Sequence, residues 1–248
     1  MRIAHDTLTL PGDPTPRLIV QPGDNKEYCV LWLQGWNSTI AKHKDRLVRL
    51  AEQTNITFSM IDYAGHGEHP VPRAATTREQ QLHEVLAAYD ALKADGYENI
   101  IVSGTSFGGY MTALLTGERT PYAVILRAPA IYKDDEFTVS QAERQSYLDA
   151  TYQKFKPTVT ASDDLIALNN IRNYPKSVYV IEQALDSIIP KNIPQAYFQA
   201  AQRGNYLVVP NTEHSPSMMP GADERFAYIE QLLISIIQTI LLEKSITN

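Results

Sequence analysis

Five residues near the middle of the chain have the types and spacing of a nucleophilic site. Residues 104–108 read Gly-Thr-Ser-Phe-Gly, with Ser106 at the centre; they follow the apolar run 100–102 and lead into a sequence that favours a helix. A G-x-S-x-G pattern between a strand and a helix is typical of a sharp, strained turn that exposes the serine hydroxyl. The flanking glycines leave room for the neighbouring strand and helix. The sequence therefore predicts that Ser106 is the nucleophile of a serine hydrolase.

A serine hydroxyl is a poor nucleophile near neutral pH and needs a general base, usually a histidine that is oriented by a carboxylate. In enzymes with this serine turn, the acid and then the histidine follow the serine along the chain. His214 is the only one of the six histidines that follows Ser106, and it lies in a loop after the apolar run 206–209. The sequence therefore predicts His214 as the base.

The predicted acid is Asp186, which follows the apolar run 178–181 by a few residues. A carboxylate there can accept the Nδ1 proton of His214, which fixes the tautomer and stabilises the imidazolium. Glu182, at the end of the same run, and Glu213, beside the histidine, are weaker alternatives.

A hydrolase of this kind also needs backbone donors for the oxyanion. One predicted donor is the N–H of Phe107, directly after the nucleophile. The other is the N–H of Trp36, in the loop after the apolar run 29–33, where Gly35 would allow the chain to turn sharply. An ordinary turn at the end of a strand would explain Gly35 equally well.

The elements that must hold these residues are predicted from alternating apolar runs and helical patterns, which indicate an α/β fold with a mostly parallel sheet of about eight strands flanked by helices. Residues 7–10 and 17–20 are predicted to form an antiparallel pair joined by a turn over 11–14. Helical spacing of apolar residues predicts helices over 82–92 and 226–240. The runs that predict buried strands are 29–33, 57–61, 100–102, 123–126, 178–181 and 206–209.

About fifty residues separate the runs that end at 126 and begin near 178, more than a simple crossover needs. Residues 131–174 are therefore predicted to form a lid over the carboxyl ends of the strands, where open α/β sheets bind ligands. The domain prediction is a single domain, 1–248, with this insertion.

Together these segments resemble the α/β-hydrolase superfamily over nearly the whole chain. Asp62-x-x-Gly65-x-Gly67 resembles its D-x-x-G-x-G turn, and 186–190 resembles its acid loop. The lid position is similar to that in small carboxylesterases, including bacterial feruloyl or cinnamoyl esterases. Residues 108–111 and 126–130 resemble the catalytic domain of prolyl-oligopeptidase-type peptidases, whose propeller is absent here.

The resemblance implies a Ser-His-Asp triad that hydrolyses an ester, thioester or amide of a small molecule without a cofactor. The leading prediction is a carboxylesterase, with acyl transfer, thioester hydrolysis or peptide cleavage as alternatives that use the same residues. A non-catalytic ligand-binding protein is the remaining alternative. Gln34, where many members have a histidine before the glycine, and Gln183, in place of a common glycine, depart from the family pattern.

The amino-acid composition argues against two classes of binding partner. The net charge of −6 disfavours nucleic acid and anionic membranes, which recruit basic patches. No stretch is expected to span a bilayer, and the N-terminus lacks the apolar core of a signal peptide, so a cytoplasmic enzyme is expected.

No metal site is predicted, because His66 and His69 lack carboxylate or thiol companions nearby. His66 is assigned to loop structure, and the other histidines before Ser106 are assigned to the surface or to helix faces: His5, His43, His69 and His83.

Overall fold

The structure is a computed structural model that describes residues 1–9, 14–145 and 148–247. Its centre is an eight-stranded sheet in the order β1-β2-β4-β3-β5-β6-β7-β8, which confirms the predicted α/β fold. β2 runs antiparallel to β1 and β4, and the remaining neighbours are parallel. The strands are β1 Arg2–Leu8, β2 Thr15–Gln21, β3 Tyr28–Leu33, β4 Thr57–Ile61, β5 Asn99–Thr105, β6 Ala123–Arg127, β7 Ser177–Gln183 and β8 Gly204–Val209.

The predicted N-terminal hairpin is longer than the sequence pattern indicated. β1 already begins at Arg2, which pairs with Gln21, and the ladder extends to Leu8 opposite Thr15. Much of β1 is solvent-exposed and polar, so it lacks the apolar run from which a strand would be predicted. Residues 11–13 of the predicted turn over 11–14 lie outside the described residues.

Helices cover both faces of the sheet. They are α1 Ile40–Thr54, α2 Arg78–Ala94, α3 Phe107–Leu115, α4 Gln141–Gln145, α5 Leu148–Phe155, α6 Ile166–Asn173, α7 Asn192–Ala200 and α8 Ala222–Thr247. α2 begins after an N-cap at Thr77, whose side chain accepts a hydrogen bond from the Gln80 N–H. Just past its end, Gly96 takes a φ of +92°, the left-handed conformation that glycine adopts without strain.

Two apolar cores result, one on each face. Buried residues of α2, α3, α6 and α7 pack on one face of the sheet. Buried residues of α1 and α8 pack on the other. Strands whose two faces are both covered favour continuous apolar runs, and such runs predicted the buried strands β3 to β7. The run 206–209 predicted β8 as well, although this edge strand is partly exposed.

Residues 131–174 do not all lie in one layer. α6, within that range, buries Ala167, Leu168 and Ile171 in the core beside α3 and α7. The earlier part instead contributes Tyr132, Gln141, Arg144 and Tyr152 to the cavity described below. The lid and its boundaries stay a prediction.

α8 corrects one expectation from the sequence. By length and composition, its segment Ala222–Glu243 could cross a membrane, with a mean hydropathy of 1.4. It is the one such helix in the described part of the chain. Ile229, Leu233 and Ile237 on this helix are buried against the sheet and α1. A core helix meets the same criterion, so the finding is weak evidence for a membrane span.

Candidate active site

Ser106 sits in a strained turn between β5 and α3. Its φ of +52° and ψ of −115° lie outside the regions that non-glycine residues favour. The Ser106 N–H donates to the Arg127 carbonyl at 2.9 Å, and the Ser106 carbonyl accepts from the Ala130 N–H at 2.9 Å. Because both bonds run to the neighbouring strand and its loop, the sheet holds the serine in this conformation.

The flanking glycines are required by close backbone contacts. A Cβ on Gly104 would overlap the Gly108 carbonyl, and a Cβ on Gly108 would overlap the Leu33 carbonyl at the end of β3. Neither glycine has a positive φ, so glycine is required at both positions because it lacks a side chain and not because of its backbone conformation.

The structure brings the three side chains predicted to form the relay into one hydrogen-bonded chain. Ser106 Oγ lies 3.0 Å from His214 Nε2. His214 Nδ1 lies 2.7 Å from Asp186 Oδ2. The three residues lie in loops at the carboxyl ends of β5, β7 and β8, and parallel strands bring these ends to one edge of the sheet.

Both alternative acids are engaged elsewhere. Glu213 Oε2 accepts from the Ser187 N–H at 3.2 Å and from its hydroxyl at 3.0 Å. Glu182 accepts from the hydroxyl of Tyr206 on β8. Neither bonds His214 among the contacts of the described residues.

The loop after β3 lies directly against the nucleophile. A Cβ on Gly35 would lie 3.4 Å from Ser106 Cβ, so this glycine permits a close approach. The left-handed residue in the loop is Asn37, with a φ of +67°, whereas the sequence suggested a sharp turn at Gly35. The Trp36 and Phe107 rings meet edge to face at 5.1 Å, so this loop packs against the first residue of α3. The N–H groups of Trp36 and Phe107 stay the predicted oxyanion donors. Phe107 is the first residue of α3, where N–H groups have no acceptor within the helix.

Two residues to which the sequence gave no site role support this loop. The buried Gln34 side chain donates to the Ile61 carbonyl at 2.8 Å and ties the end of β3 to that of β4. His66 packs edge to face on Trp36 at 4.8 Å and is stacked 6.2 Å from Phe107. Burial lowers the pKa of His66 to about 4, so its ring is neutral near pH 7.

A cavity of about 1180 Å³, called here the Ser106 cavity, opens at the nucleophile. Ser106, His214, Trp36 and Phe107 are among its lining residues. On one side it reaches Tyr132 and Tyr152, whose rings stack at 5.3 Å. On the other it extends between the first turns of α1 and α8. The charged lining residues are Lys42, Arg46, Arg49, Arg78, Arg127 and Arg144 against Asp223 and Glu230.

His43 lies on a helix face, as predicted, whereas His69 is buried in a loop and differs from its prediction. His43 lines the Ser106 cavity, and its Nε2 lies 2.8 Å from Ser38 Oγ. Burial lowers the pKa of His43 to about 3, and the nearby positive charge of Arg46 acts in the same direction. His69 is buried, with its Nε2 at 3.3 Å from a Glu84 carboxylate oxygen. His5 and His83 are exposed, as predicted.

No group of three or more His, Cys, Asp or Glu side chains suited to a metal ion occurs among the residues that the structure describes. The expectation that the chemistry needs no metal or cofactor stays a prediction.

The sequence profile of the family described as "Serine aminopeptidase, S33" (Hydrolase_4) matches residues 24–193 of this 248-residue chain. The chain belongs to this family. The matched region contains Ser106 and Asp186 and ends before His214. The fold and the family together identify an α/β-hydrolase, as the sequence predicted.

The relatives of this hydrolase include enzymes that act on esters. A carboxylesterase from Bacillus subtilis (strain 168) is 26% identical over 195 residues, which cover 71% of this chain and 78% of the relative. Together with the family, this relative supports an ester-cleaving hydrolase.

Solved structures share the fold at low sequence identity. Est1E from Butyrivibrio proteoclasticus, determined with bound ferulic acid, matches with a TM-score of 0.68 and 16% identity over 96% of this chain and 98% of its own. A soluble variant of monoglyceride lipase from Saccharomyces cerevisiae matches with a TM-score of 0.70 and 11% identity over 97% of each chain.

Proposed function

We propose that the protein is a serine esterase that cleaves a carboxylic ester of a small to medium substrate through Ser106, His214 and Asp186. The observation that carries this proposal is the unbroken hydrogen-bonded chain of these side chains, with separations of 3.0 and 2.7 Å, at the opening of a cavity. A nucleophile in bonding contact with its base, and a base oriented by a carboxylate, is the arrangement that acyl transfer requires.

In the first half of the reaction, Ser106 Oγ forms a bond to the carbonyl carbon while its proton moves to His214 Nε2. The carbon–oxygen bond to the alcohol then breaks, and the alcohol takes that proton as it leaves. In the second half, His214 removes a proton from water, whose oxygen attacks the acyl-enzyme. Collapse of this intermediate releases the carboxylic acid and returns the proton to Ser106.

Asp186 would stabilise the imidazolium that forms in each half. Its Oδ2 faces His214 Nδ1, which fixes the proton on that nitrogen and leaves Nε2 free to act as the base. The backbone N–H groups of Trp36 and Phe107 are the proposed oxyanion donors. Each such donor typically contributes about 10²–10³-fold to the rate.

The cavity volume of about 1180 Å³ lies just above the range of about 300–1,000 Å³ that ligand pockets usually enclose, so a small to medium ester fits within it. Tyr132 and Tyr152, from the region predicted as a lid, would contact one end of the substrate. We include the lid in the proposal on the basis of these two lining residues.

Peptide cleavage is the second candidate, because the family description names an aminopeptidase. An aminopeptidase must hold a cationic amino terminus, which calls for carboxylates in the cavity. The lining instead has six Lys or Arg side chains against two Asp or Glu in the described part of the chain. This balance favours the esterase.

The test compares 4-nitrophenyl acetate and butyrate with alanine 4-nitroanilide as substrates. We expect turnover of the 4-nitrophenyl esters, and we expect Ser106→Ala to lower kcat/KM by about 10³-fold or more. Ser217→Ala is the matched control, since it removes a hydroxyl that lines the same cavity outside the relay. Turnover of the anilide alone would replace the esterase with the peptidase. Equal ester turnover by the wild type and Ser106→Ala would exclude the proposed nucleophile.

A further inference from the structure

The Ser106 cavity is positively charged in a protein that is negatively charged. The chain carries a net charge of −6, yet six Lys or Arg side chains and two Asp or Glu side chains line this cavity among the described residues. A cleft lined by one sign of charge concentrates ligands of the opposite sign. A Lys or Arg side chain that pairs with a carboxylate of the protein has a structural role. One that lacks such a carboxylate is available to bind an anionic ligand.

Arg78 shows how a structural arginine is compensated in this cavity. It is buried, and its Nη1 donates to Glu136 Oε2 at 3.1 Å. Its guanidinium also lies 3.8 Å from the centre of the Tyr132 ring. A carboxylate and an aromatic face together account for this charge without a ligand.

Arg127, at the end of β6, lacks such compensation. It is 6% exposed, and its guanidinium donates to two neutral acceptors, Thr105 Oγ1 at 3.2 Å and Gln183 Oε1 at 2.6 Å. In the described part of the chain, no carboxylate forms an ion pair with it. The charge of Asp186 favours the protonated form of Arg127, but this carboxylate is bonded to His214. Burial lowers the pKa of Arg127 to about 9, and the positive charge of Arg46 acts in the same direction.

Arg46, on α1, is only partly compensated, because it shares the carboxylate of Glu230 with Arg49. It is 8% exposed, and its Nε lies 3.4 Å from Glu230 Oε1. Glu230 already receives two hydrogen bonds from Arg49, at 2.7 and 3.1 Å. Nε and Nη2 of Arg46 are buried and have no hydrogen-bond partner. Burial lowers the pKa of Arg46 to about 10.

The two arginines lie on the same side of the sheet. Arg127 follows Ile125 by two residues on β6, so both side chains project from the sheet face that α1 and α8 cover. Arg46 projects from α1 and lies 5.7 Å from the Phe226 ring of α8. Burial lowers the pKa of His43, and the positive charges of Arg46 and Arg127 both act in the same direction. We call this part of the Ser106 cavity, lined by Arg46 and Arg127, the basic arm.

A buried guanidinium without a full counter-charge is costly, and one bound anion would compensate Arg127 together with the partly paired Arg46. Arginine also suits carboxylate and phosphate groups, because its planar donors match their oxygens. We propose that the ester substrate carries a carboxylate or phosphate group that the basic arm binds while the scissile carbonyl lies at Ser106. This inference rests on the proposed esterase function and narrows it to anionic esters.

The test uses two pairs of esters that differ only in charge. On the acyl side, 4-nitrophenyl hydrogen adipate is compared with its methyl ester. On the alcohol side, 3-(4-acetoxyphenyl)propionate is compared with its methyl ester. We expect kcat/KM to be at least 10-fold higher for the anion in one pair. That ratio should fall close to one in Arg127→Gln and in Arg46→Gln, while Arg127→Lys retains part of it.

Both rates of a pair are measured on one enzyme preparation. A loss of folded protein therefore lowers both rates equally and leaves their ratio unchanged. Arg2→Gln is the matched control, because it removes a positive charge from the exposed strand β1 and should leave the ratio unchanged. Equal rates within both pairs, a preference for the neutral ester, or a preference that survives both glutamine variants would overturn the inference. Reaction with a neutral fluorophosphonate tests the proposed esterase function separately. If Ser106 is labelled but no ester pair shows a preference for the anion, the inference about the basic arm is overturned and the esterase proposal is not.

Binding without turnover identifies the anion. In Ser106→Ala, we expect either adipate or inorganic phosphate to raise the melting temperature with increasing concentration. The rise should be absent in the double variant that also carries Arg127→Gln. A rise with adipate alone identifies a carboxylate substrate, and a rise with phosphate alone identifies a phosphate substrate. A melting temperature that neither anion changes would contradict the basic arm as an anion site.

Discussion

At the level of single residues, Asp186 is held by more than the histidine. Its Oδ1 accepts from the N–H groups of Ile188 at 2.9 Å and Ile189 at 2.7 Å. Its Oδ2 remains for His214. A carboxylate offers two acceptor oxygens, so these three donors fix its orientation.

Asp186→Asn should therefore be far more damaging than changes at the other two acids. An amide has one acceptor, so the side chain can no longer serve the loop and His214 Nδ1 together. We expect kcat/KM for 4-nitrophenyl acetate to fall by about 10³–10⁴-fold. Glu182→Gln and Glu213→Gln should change it only a few-fold. A larger loss in either glutamine variant than in Asp186→Asn would reassign the acid.

His66 makes the stability of the fold depend on pH. Its pKa in the folded chain is about 4, against an ordinary value of 6.5, because its ring is buried. Between these pH values the unfolded chain binds a proton that the folded chain does not bind, so stability falls as the pH is lowered through this window. Below about pH 4 this contribution is fully lost and changes no further.

Urea unfolding between about pH 7 and pH 4 measures this effect. His66→Gln should reduce the fall in the free energy of unfolding by up to about 3 kcal/mol. A residual slope should remain, because the low pKa of His43 acts in the same direction. His83→Gln, on the exposed face of α2, should leave the slope unchanged. An unchanged slope in His66→Gln would show that folding does not lower the pKa of this ring.

At the level of elements, the site depends on how closely α3 approaches β3. Gly108 lies in the first turn of α3 with no space for a side chain beside the Leu33 carbonyl. This approach brings the N–H of Phe107 next to the loop of Trp36. A wider spacing would separate the two proposed oxyanion donors.

Gly108→Ala should therefore lower both stability and activity. We expect a loss of about 2 kcal/mol or more in the free energy of unfolding, because the added methyl must displace backbone. Ester turnover of the folded fraction should fall by at least 10-fold. Gly23→Ala is the control, since a Cβ there would meet nothing within 4 Å. Equal effects of the two substitutions would refute the close approach.

Apolar runs and the spacing of glycines sufficed to predict the six strands β3 to β8, the turn at Ser106 and the loops of Asp186 and His214. They could not predict contacts between distant segments. Gln34 looked like a departure from the family pattern, yet its amide joins two strand ends. Arg127 at the end of β6 and His43 on α1 line the same cavity, although the two residues lie far apart in the sequence. α6 was assigned to the lid because its few apolar residues do not reveal which helices they pack against.

At the level of the whole molecule, the sheet separates two cores, and α8 seals the one on the side of the basic arm. Ile237 is 1% exposed and packs in this core, whereas Thr239 faces outwards. A helix of this composition is stabilised here by one buried face, in the way of amphipathic core helices. Its first turns also carry Asp223 and Glu230 to the Ser106 cavity.

Ile237→Ala should lower the free energy of unfolding by about 2–5 kcal/mol, the usual result of truncating a buried isoleucine. Thr239→Ala should change it by less than about 0.5 kcal/mol. Urea denaturation followed by circular dichroism measures both. If the two variants were equally stable, α8 would not be the core helix described above.

Mass spectrometry of the intact protein after reaction with a fluorophosphonate tests most directly that Ser106 is the activated nucleophile of the relay. We expect a single adduct, located by peptide fragmentation on Ser106, absent in Ser106→Ala and formed at least 100-fold more slowly in His214→Ala. A protein that stays unmodified, or an adduct on another residue, would contradict the proposed mechanism.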